Sequence, residues 1–194
     1  MAERIRTFIA IELPPGVQQG LRRVQEQLQR FRPPVRWVAP DKIHVTLNFL
    51  GEIPAEEVPA AVEAALRAAA GAAPFEVEAA GLGVFPSPRR PRVLWVGLGG
   101  DLPALKALQA GLTRELAARG FPPEERAFSP HLTLGRVRQH AAPAELRALG
   151  DKVADTSVPS LGRWRVERIV VIRSDLRPEG PIYTTLRAVP LGVV

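Results

Sequence analysis

A four-residue pattern that occurs twice constrains this chain more than any other feature of its sequence. Residues 44–47 read HVTL and residues 131–134 read HLTL, each a His, an aliphatic residue, a Thr and a Leu. The chain contains three His and seven Thr among 194 residues, so two such copies are very improbable by composition alone. The repetition therefore indicates two related halves that contribute to one chemical site.

The spacing of His and Thr within each pattern suits a β-strand. Residues i and i+2 of a strand share a face, so His44 and Thr46 point one way while the aliphatic residues beside them point into a core. His131 and Thr133 are spaced in the same way. If an approximate two-fold axis relates the halves, the two His-Thr faces meet across a groove.

The order of the predicted elements supports this symmetry. We predict helices at 15–30, 54–71, 101–120 and 142–154, and strands at 7–13, 42–50, 75–79, 92–98, 131–137, 164–172 and 183–191. Strand, helix, His-Thr strand, helix and strand occur twice in this order, at an offset near 87 residues. We therefore predict one bilobal α+β domain over 1–194, with approximate repeats at 1–90 and 91–175 and a final strand at 183–191. Each lobe is expected to be a small, mostly antiparallel sheet with helices outside, and a central groove lies between the lobes.

Two imidazoles and two hydroxyls that converge on one small group predict acid–base chemistry on a phosphate. Because His titrates near neutrality, one imidazole can donate a proton while the other accepts one. Thr hydroxyls can donate hydrogen bonds to the non-bridging oxygens of a phosphate and so stabilise charge in a transition state. Phosphodiester hydrolysis or transfer without a metal fits this set.

Other kinds of site fit the sequence less well. No HxH or HxxxH spacing accompanies either pattern, so we expect neither a metal nor another cofactor. A GxSxG elbow and a GxxxxGK[ST] loop are both absent from the sequence, which argues against a serine hydrolase and an ATP-driven enzyme. The third His, His140, has no Thr partner, and we interpret it as a surface residue.

The charge of the chain favours a polyanionic partner. The formal net charge is +6, and 23 of the 26 basic residues are Arg, whose planar fork of donors suits phosphate. RNA is one such partner, although an Arg- and Pro-rich composition is also typical of a heat-adapted source. The chain has no Cys and no apolar stretch long enough for a membrane span, so we expect a cytoplasmic protein without disulfides.

Three segments resemble one known family. RTFIAIELP, RWVAPDKIHVTLNFLGEI and RAFSPHLTLGRV are similar to the two-histidine phosphoesterase superfamily, and most of all to its RNA 2′,3′-cyclic phosphodiesterase branch, also called 2′-5′ RNA ligase. The resemblance implies a two-lobed α+β fold, no metal, and opening of a 2′,3′-cyclic phosphate to a 2′-phosphomonoester. Reversible, ATP-independent 2′-5′ joining of RNA ends and non-catalytic binding of RNA ends remain as alternatives.

The resemblance also implies roles for the residues of the repeated pattern. His44 would donate a proton to the leaving 3′-oxygen, and His131 would be the base that activates water. Near symmetry would let these two roles exchange. Thr46 and Thr133 would hold phosphate oxygens. The implied partner is RNA with a 2′,3′-cyclic phosphate end, for example a tRNA-derived end. We expect the protein to act as a monomer and to have no membrane partner.

Three further residues are candidates through the same resemblance. Arg136 matches a phosphate-binding Arg of the family, although strict alternation would put it on the wrong face unless a bulge at Gly135 turns it back. Phe8 matches an aromatic residue that can stack on a base, with packing in the core as the alternative. Arg126 precedes the second pattern and is a further substrate-binding candidate. Whether the Arg-Pro loop at 85–92 clamps RNA or is a solvated turn is left open.

Overall fold

The structure is a computed structural model that describes residues 3–193, in which four helices and nine strands follow one another. The elements are β1 (Arg4–Ile11), α1 (Pro15–Gln29), β2 (Val35–Trp37), β3 (Val45–Pro54), α2 (Val58–Ala70), β4 (Phe75–Phe85), β5 (Val93–Gly100), α3 (Leu102–Ala117), β6 (His131–Val137), α4 (Pro143–Ala154), β7 (Gly162–Val166), β8 (Arg168–Asp175) and β9 (Ile182–Pro190). Asp101 caps α3, as its position predicts, because its carboxylate accepts a hydrogen bond from the backbone N–H of Ala104 at 3.0 Å.

The strands form two lobes that share one curled antiparallel sheet. Its order is β7-β4-β5-β6-β3-β1-β8-β9, with β2 beside β6. The strands β6 and β3, which carry the two His-Thr patterns, lie at the inner edges of their lobes and meet at the centre. The two-lobed α+β fold predicted above is therefore confirmed. The chain passes from one lobe to the other and back, since β4 pairs with β5 in one lobe and the later strand β8 pairs with β1 in the other.

All four helices cover one face of this sheet. The apolar stripe of α1, for example, is made of Val17, Leu21, Val24 and Leu28, which recur at helical spacing and pack in the same core as strand residues such as Ile9 and Leu132. On the other side of the sheet a separate small cluster contains no helix residue; its members are Phe8, Ala10, Val170, Ile172 and Tyr183. We call this side the open face. None of the helices within residues 3–193 is both long and apolar enough to cross a bilayer.

The run at 164–172, predicted as one strand, is two strands. The residue between β7 and β8 is Glu167, and the strands lie at different places in the sheet: β7 pairs with β4 in one lobe and β8 with β1 in the other. Both pieces are rich in β-formers, so periodicity alone does not reveal the break. The chain needs it because its last strands return to the lobe that holds β1.

Each His-Thr strand contains a β-bulge at the Leu of its pattern. In the β5–β6 pair, Trp95 faces Thr133 but Leu94 faces Gly135, so one extra residue, Leu134, stands between them. In the β1–β3 pair the same count leaves Leu47 as the extra residue. A bulge is therefore present where the sequence suggested one, one residue earlier than expected in the second pattern.

Two glutamines on helices bind the carbonyl groups of these extra residues. Gln25 of α1 is 4% exposed, and its amide donates to the carbonyl oxygens of Leu134 at 2.9 Å and Val38 at 2.7 Å. Gln109 of α3 donates to the carbonyl oxygen of Leu47 at 3.4 Å. Each lobe's first helix thus reaches the bulge of the other lobe's pattern.

Replacement of Gln25 by Met should lower the free energy of unfolding by about 1–3 kcal/mol, because a side chain of similar volume removes the side-chain donor from the partly buried Val38 carbonyl and the buried Leu134 carbonyl. Urea denaturation measures the loss. Gln27→Met is the matched control, since Gln27 is exposed on the same helix. Equal stability of the two variants would contradict a role for the buried amide.

Candidate active site

The two His-Thr patterns lie next to each other on the open face. The strands β3 and β6 are joined by a single pair, Val45 with Leu132, and both of these side chains are in the helix-covered core. Because neighbours along a strand alternate, the residues on either side of this pair point to the open face. The antiparallel register brings His44 toward Thr133 and Thr46 toward His131.

Both imidazoles are oriented by the same backbone contact. His44 Nδ1 lies 2.9 Å from the carbonyl oxygen of Lys42, and His131 Nδ1 lies 2.7 Å from that of Ser129. A carbonyl oxygen only accepts, so Nδ1 is the protonated nitrogen that donates in each case. In the neutral ring this leaves Nε2 as the acceptor, and both histidines are therefore prepared to exchange a proton through Nε2.

His44 is enclosed by aromatic rings. Its imidazole stacks on Phe8 with ring centroids 4.6 Å apart, and it meets the edge of Tyr183 at 5.5 Å. Burial lowers the pKa of His44 below its usual 6.5, while the hydrogen bond to the Lys42 carbonyl acts in the opposite sense. Without a bound ligand this imidazole is therefore neutral near pH 7.

Phe8, the candidate for stacking on a base, is almost fully covered by its neighbours. The side chain is 3% exposed, and it packs against His44 and against Tyr183, whose ring centroid is 5.2 Å away. These contacts favour the alternative, packing in the core, and they place Phe8 where it supports the imidazole. A strand residue two places from Ala10 and beside β8 has no free surface for a nucleobase.

His131 has fewer aromatic neighbours. Its ring meets the edge of Phe85 at 5.0 Å, and Phe85 in turn lies 5.0 Å from Trp95. Trp95 is the cross-strand partner of Thr133, so it belongs to the same face. Phe85 and Trp95 are not among the site residues predicted from the sequence, because their proximity to His131 depends on the pairing of β5 with β6.

The bulge at Leu134 places Arg136 on the open face. Leu134 and Val137 are both in the helix-covered core although they are three residues apart, and the exposed Arg136 lies between them on the other side. Its positive charge acts on the Tyr183 hydroxyl together with that of Arg6, lowering a pKa that burial raises above 10.0. The expected proximity of Arg136 to the site is thus supported by geometry.

The matching place in the first pattern holds an aromatic residue with a cation on it. Phe49 is 40% exposed, and the Arg6 guanidinium lies 4.5 Å from its ring centroid. The backbone N–H of Phe49 donates to the carboxylate of Glu124 at 2.7 Å. Arg6 was missed by the sequence analysis, although its position two residues before Phe8 in the same strand was a usable signal.

The remaining candidates lie in loops and turns. Arg126 is exposed on the loop that leads into β6, and among residues 3–193 no hydrogen bond or ion pair involves its side chain. His140 is exposed in a turn, as predicted. The three Arg of the 85–92 loop are exposed, and the loop packs on α4 at Gly150, where a Cβ would come within 2.0 Å of the Pro88 carbonyl oxygen.

The arrangement combines two proton-transfer groups with donors for an anion. The imidazoles can exchange protons on opposite sides of a small group, and the Thr46 and Thr133 hydroxyls and the Arg136 guanidinium can bind its oxygens. No cluster of three His, Asp or Glu side chains that could hold a metal ion occurs in the described part of the chain.

Comparison with known proteins agrees with this geometry. The profile of a family described as "LigT like Phosphoesterase" matches residues 11–95 and again residues 101–183. The crystal structure of Escherichia coli LigT complexed with 3′-AMP superimposes with a TM-score of 0.78 and 26% identity, covering 97% of this chain and 99% of that one.

Sequence relatives lie in the same group. An RNA 2′,3′-cyclic phosphodiesterase of Methanothermobacter thermautotrophicus is 33% identical over 94% of this chain and 97% of its own length. One of Aeropyrum pernix is 36% identical over 86% of this chain and 92% of its own length. With both repeats matched and both His-Thr strands in place, this chain belongs to the LigT-like phosphoesterase family.

Proposed function

We propose that this protein is an RNA 2′,3′-cyclic phosphodiesterase that hydrolyses the cyclic phosphate at an RNA end to a 2′-phosphomonoester. The observation that carries the proposal is the matched pair of imidazoles, each with Nδ1 bonded to a carbonyl two residues earlier in the chain and Nε2 left for chemistry. The names of the relatives and the net charge of +6 support RNA as the substrate class.

In the proposed reaction a water molecule attacks the phosphorus and the bond to the 3′-oxygen breaks. His131 Nε2 accepts the proton of the water, and protonated His44 donates one to the departing 3′-oxygen. His131 has the more open surroundings of the two, which suits contact with water, while the enclosure of His44 suits contact with the sugar. The Thr46 and Thr133 hydroxyls donate to the non-bridging oxygens as negative charge grows on them.

Binding of the substrate phosphate can keep His44 protonated, as its role as general acid requires. Burial keeps His44 neutral in the free enzyme, whereas a general acid must carry a proton. A phosphate bound beside the ring favours the charged imidazolium and raises its pKa. The site is complete within one chain, so we also propose that a monomer acts, and that tRNA-derived ends are among its substrates.

A labelled oligoribonucleotide that ends in a 2′,3′-cyclic phosphate tests the activity directly. We expect its conversion to a 2′-phosphate end, resolved from the 3′-phosphate isomer by chromatography, because the scheme breaks the bond to the 3′-oxygen. The reaction should proceed equally with or without an RNA that carries a 5′-hydroxyl.

Two other results of this assay would replace the proposal. A longer product that forms only in the presence of the 5′-hydroxyl RNA would identify end joining as the principal reaction. Tight binding without any product would identify a protein that binds RNA ends.

The variants His44→Ala and His131→Ala should each lower kcat by at least about 100-fold, the usual contribution of one general acid or base. Stopped time courses on the same oligoribonucleotide measure the loss. The matched control is His140→Ala, since this third imidazole is exposed in a turn. Full activity in either motif variant would disprove acid–base catalysis by the two histidines.

The pKa of His44 should rise when a phosphate is bound. Histidine ring resonances followed by NMR between pH 4.5 and 8.5 should show His44 titrating below 6.5 in the free enzyme, because burial disfavours its charged form. Saturation with a nucleoside 2′-monophosphate should move this midpoint upward, since the anion favours the imidazolium. The spectrum of His44→Gln assigns the signal, and a midpoint that ignores the ligand would place the phosphate elsewhere.

A further inference from the structure

Two arginines face each other across β2 and β6 at the end of the open face. The register pairs Val35 with Val137 and Arg36 with Arg136. Both valines are in the helix-covered core. The two arginines between the core positions therefore point to the open face, side by side, and both are exposed.

This pair is unfavourable in the protein alone. Like charges directly opposite each other on neighbouring strands destabilise a sheet. Among residues 3–193 neither guanidinium has a carboxylate within ion-pair distance. The repulsion would be relieved by an anion, and the planar donors of two Arg suit phosphate in particular.

The two arginines lie at different distances from the histidines. Arg136 is close enough to the centre for its charge to act on Tyr183, which packs against His44. Arg36 stands one strand away, about 4.8 Å across the sheet. A second phosphate of the same RNA strand would thus meet Arg36 while the cyclic phosphate occupies the site between the histidines.

We propose that Arg36 binds the phosphodiester on the 5′ side of the terminal nucleotide and so makes the enzyme prefer an RNA strand to a cyclic mononucleotide. This inference rests on the function proposed above. It assigns β2 a role in substrate choice, since only a substrate with at least two nucleotides carries a second phosphodiester.

The test compares two substrates, a dinucleotide that ends in a 2′,3′-cyclic phosphate and a nucleoside 2′,3′-cyclic phosphate with a free 5′-hydroxyl. In Arg36→Ala the ratio of kcat/KM for the dinucleotide to that for the mononucleotide should fall about tenfold, through KM, because one charge-assisted contact is lost. On a longer single strand, the slope of log KM against log salt should fall by about 0.7, the value for one phosphate contact.

Arg22→Ala is the matched control, because it removes the same charge from the exposed side of α1. An unchanged substrate ratio in Arg36→Ala would overturn the inference, and so would an equal loss on both substrates, which would place Arg36 at the cyclic phosphate or in the fold. Failure of the proposed function is a different result, since the unmodified enzyme would then hydrolyse neither substrate.

Discussion

The site depends on a seam in the sheet that carries little hydrogen bonding of its own. Among residues 3–193 only the pair of Val45 and Leu132 joins β3 to β6, yet both histidines lie beside this junction. Burial of that pair beneath the helices favours this register, because a shift by one residue would move His44 and His131 from the open face into the core. Apolar packing on one face thus sets the chemistry of the other.

Strand alternation explains the His-Thr pairs, and its interruption explains the rest of the site. Without the bulge at Leu134, Arg136 would point into the core beneath α1, where a guanidinium without a partner is costly. The extra residue reverses the alternation, and the buried amide of Gln25 binds the carbonyl of that residue. A polar contact inside the core therefore supports the position of a charged group on the surface.

Local sequence patterns predicted the parts of this structure that depend on neighbours along the chain. The faces of the two His-Thr patterns and the presence of a bulge follow from spacing of a few residues. Tyr183 could not be found in this way. Its contact with His44 requires that β8 pairs with β1 and that β9 pairs with β8. The burial of Phe8 could not be predicted for a similar reason, since it depends on Tyr183 and on the ring of His44 itself.

The approximate symmetry of the two halves does not extend to the surroundings of the two histidines. The two imidazoles have equivalent backbone contacts, but within residues 3–193 only His44 lies between two aromatic rings, and burial lowers its pKa. The residues five places after each histidine differ as well. Phe49 lies under Arg6 in the first pattern, and Arg136 lies beside Arg36 in the second. The side that follows the second bulge therefore presents two exposed arginines, so a nearly symmetric pair of histidines lies in asymmetric electrostatic surroundings.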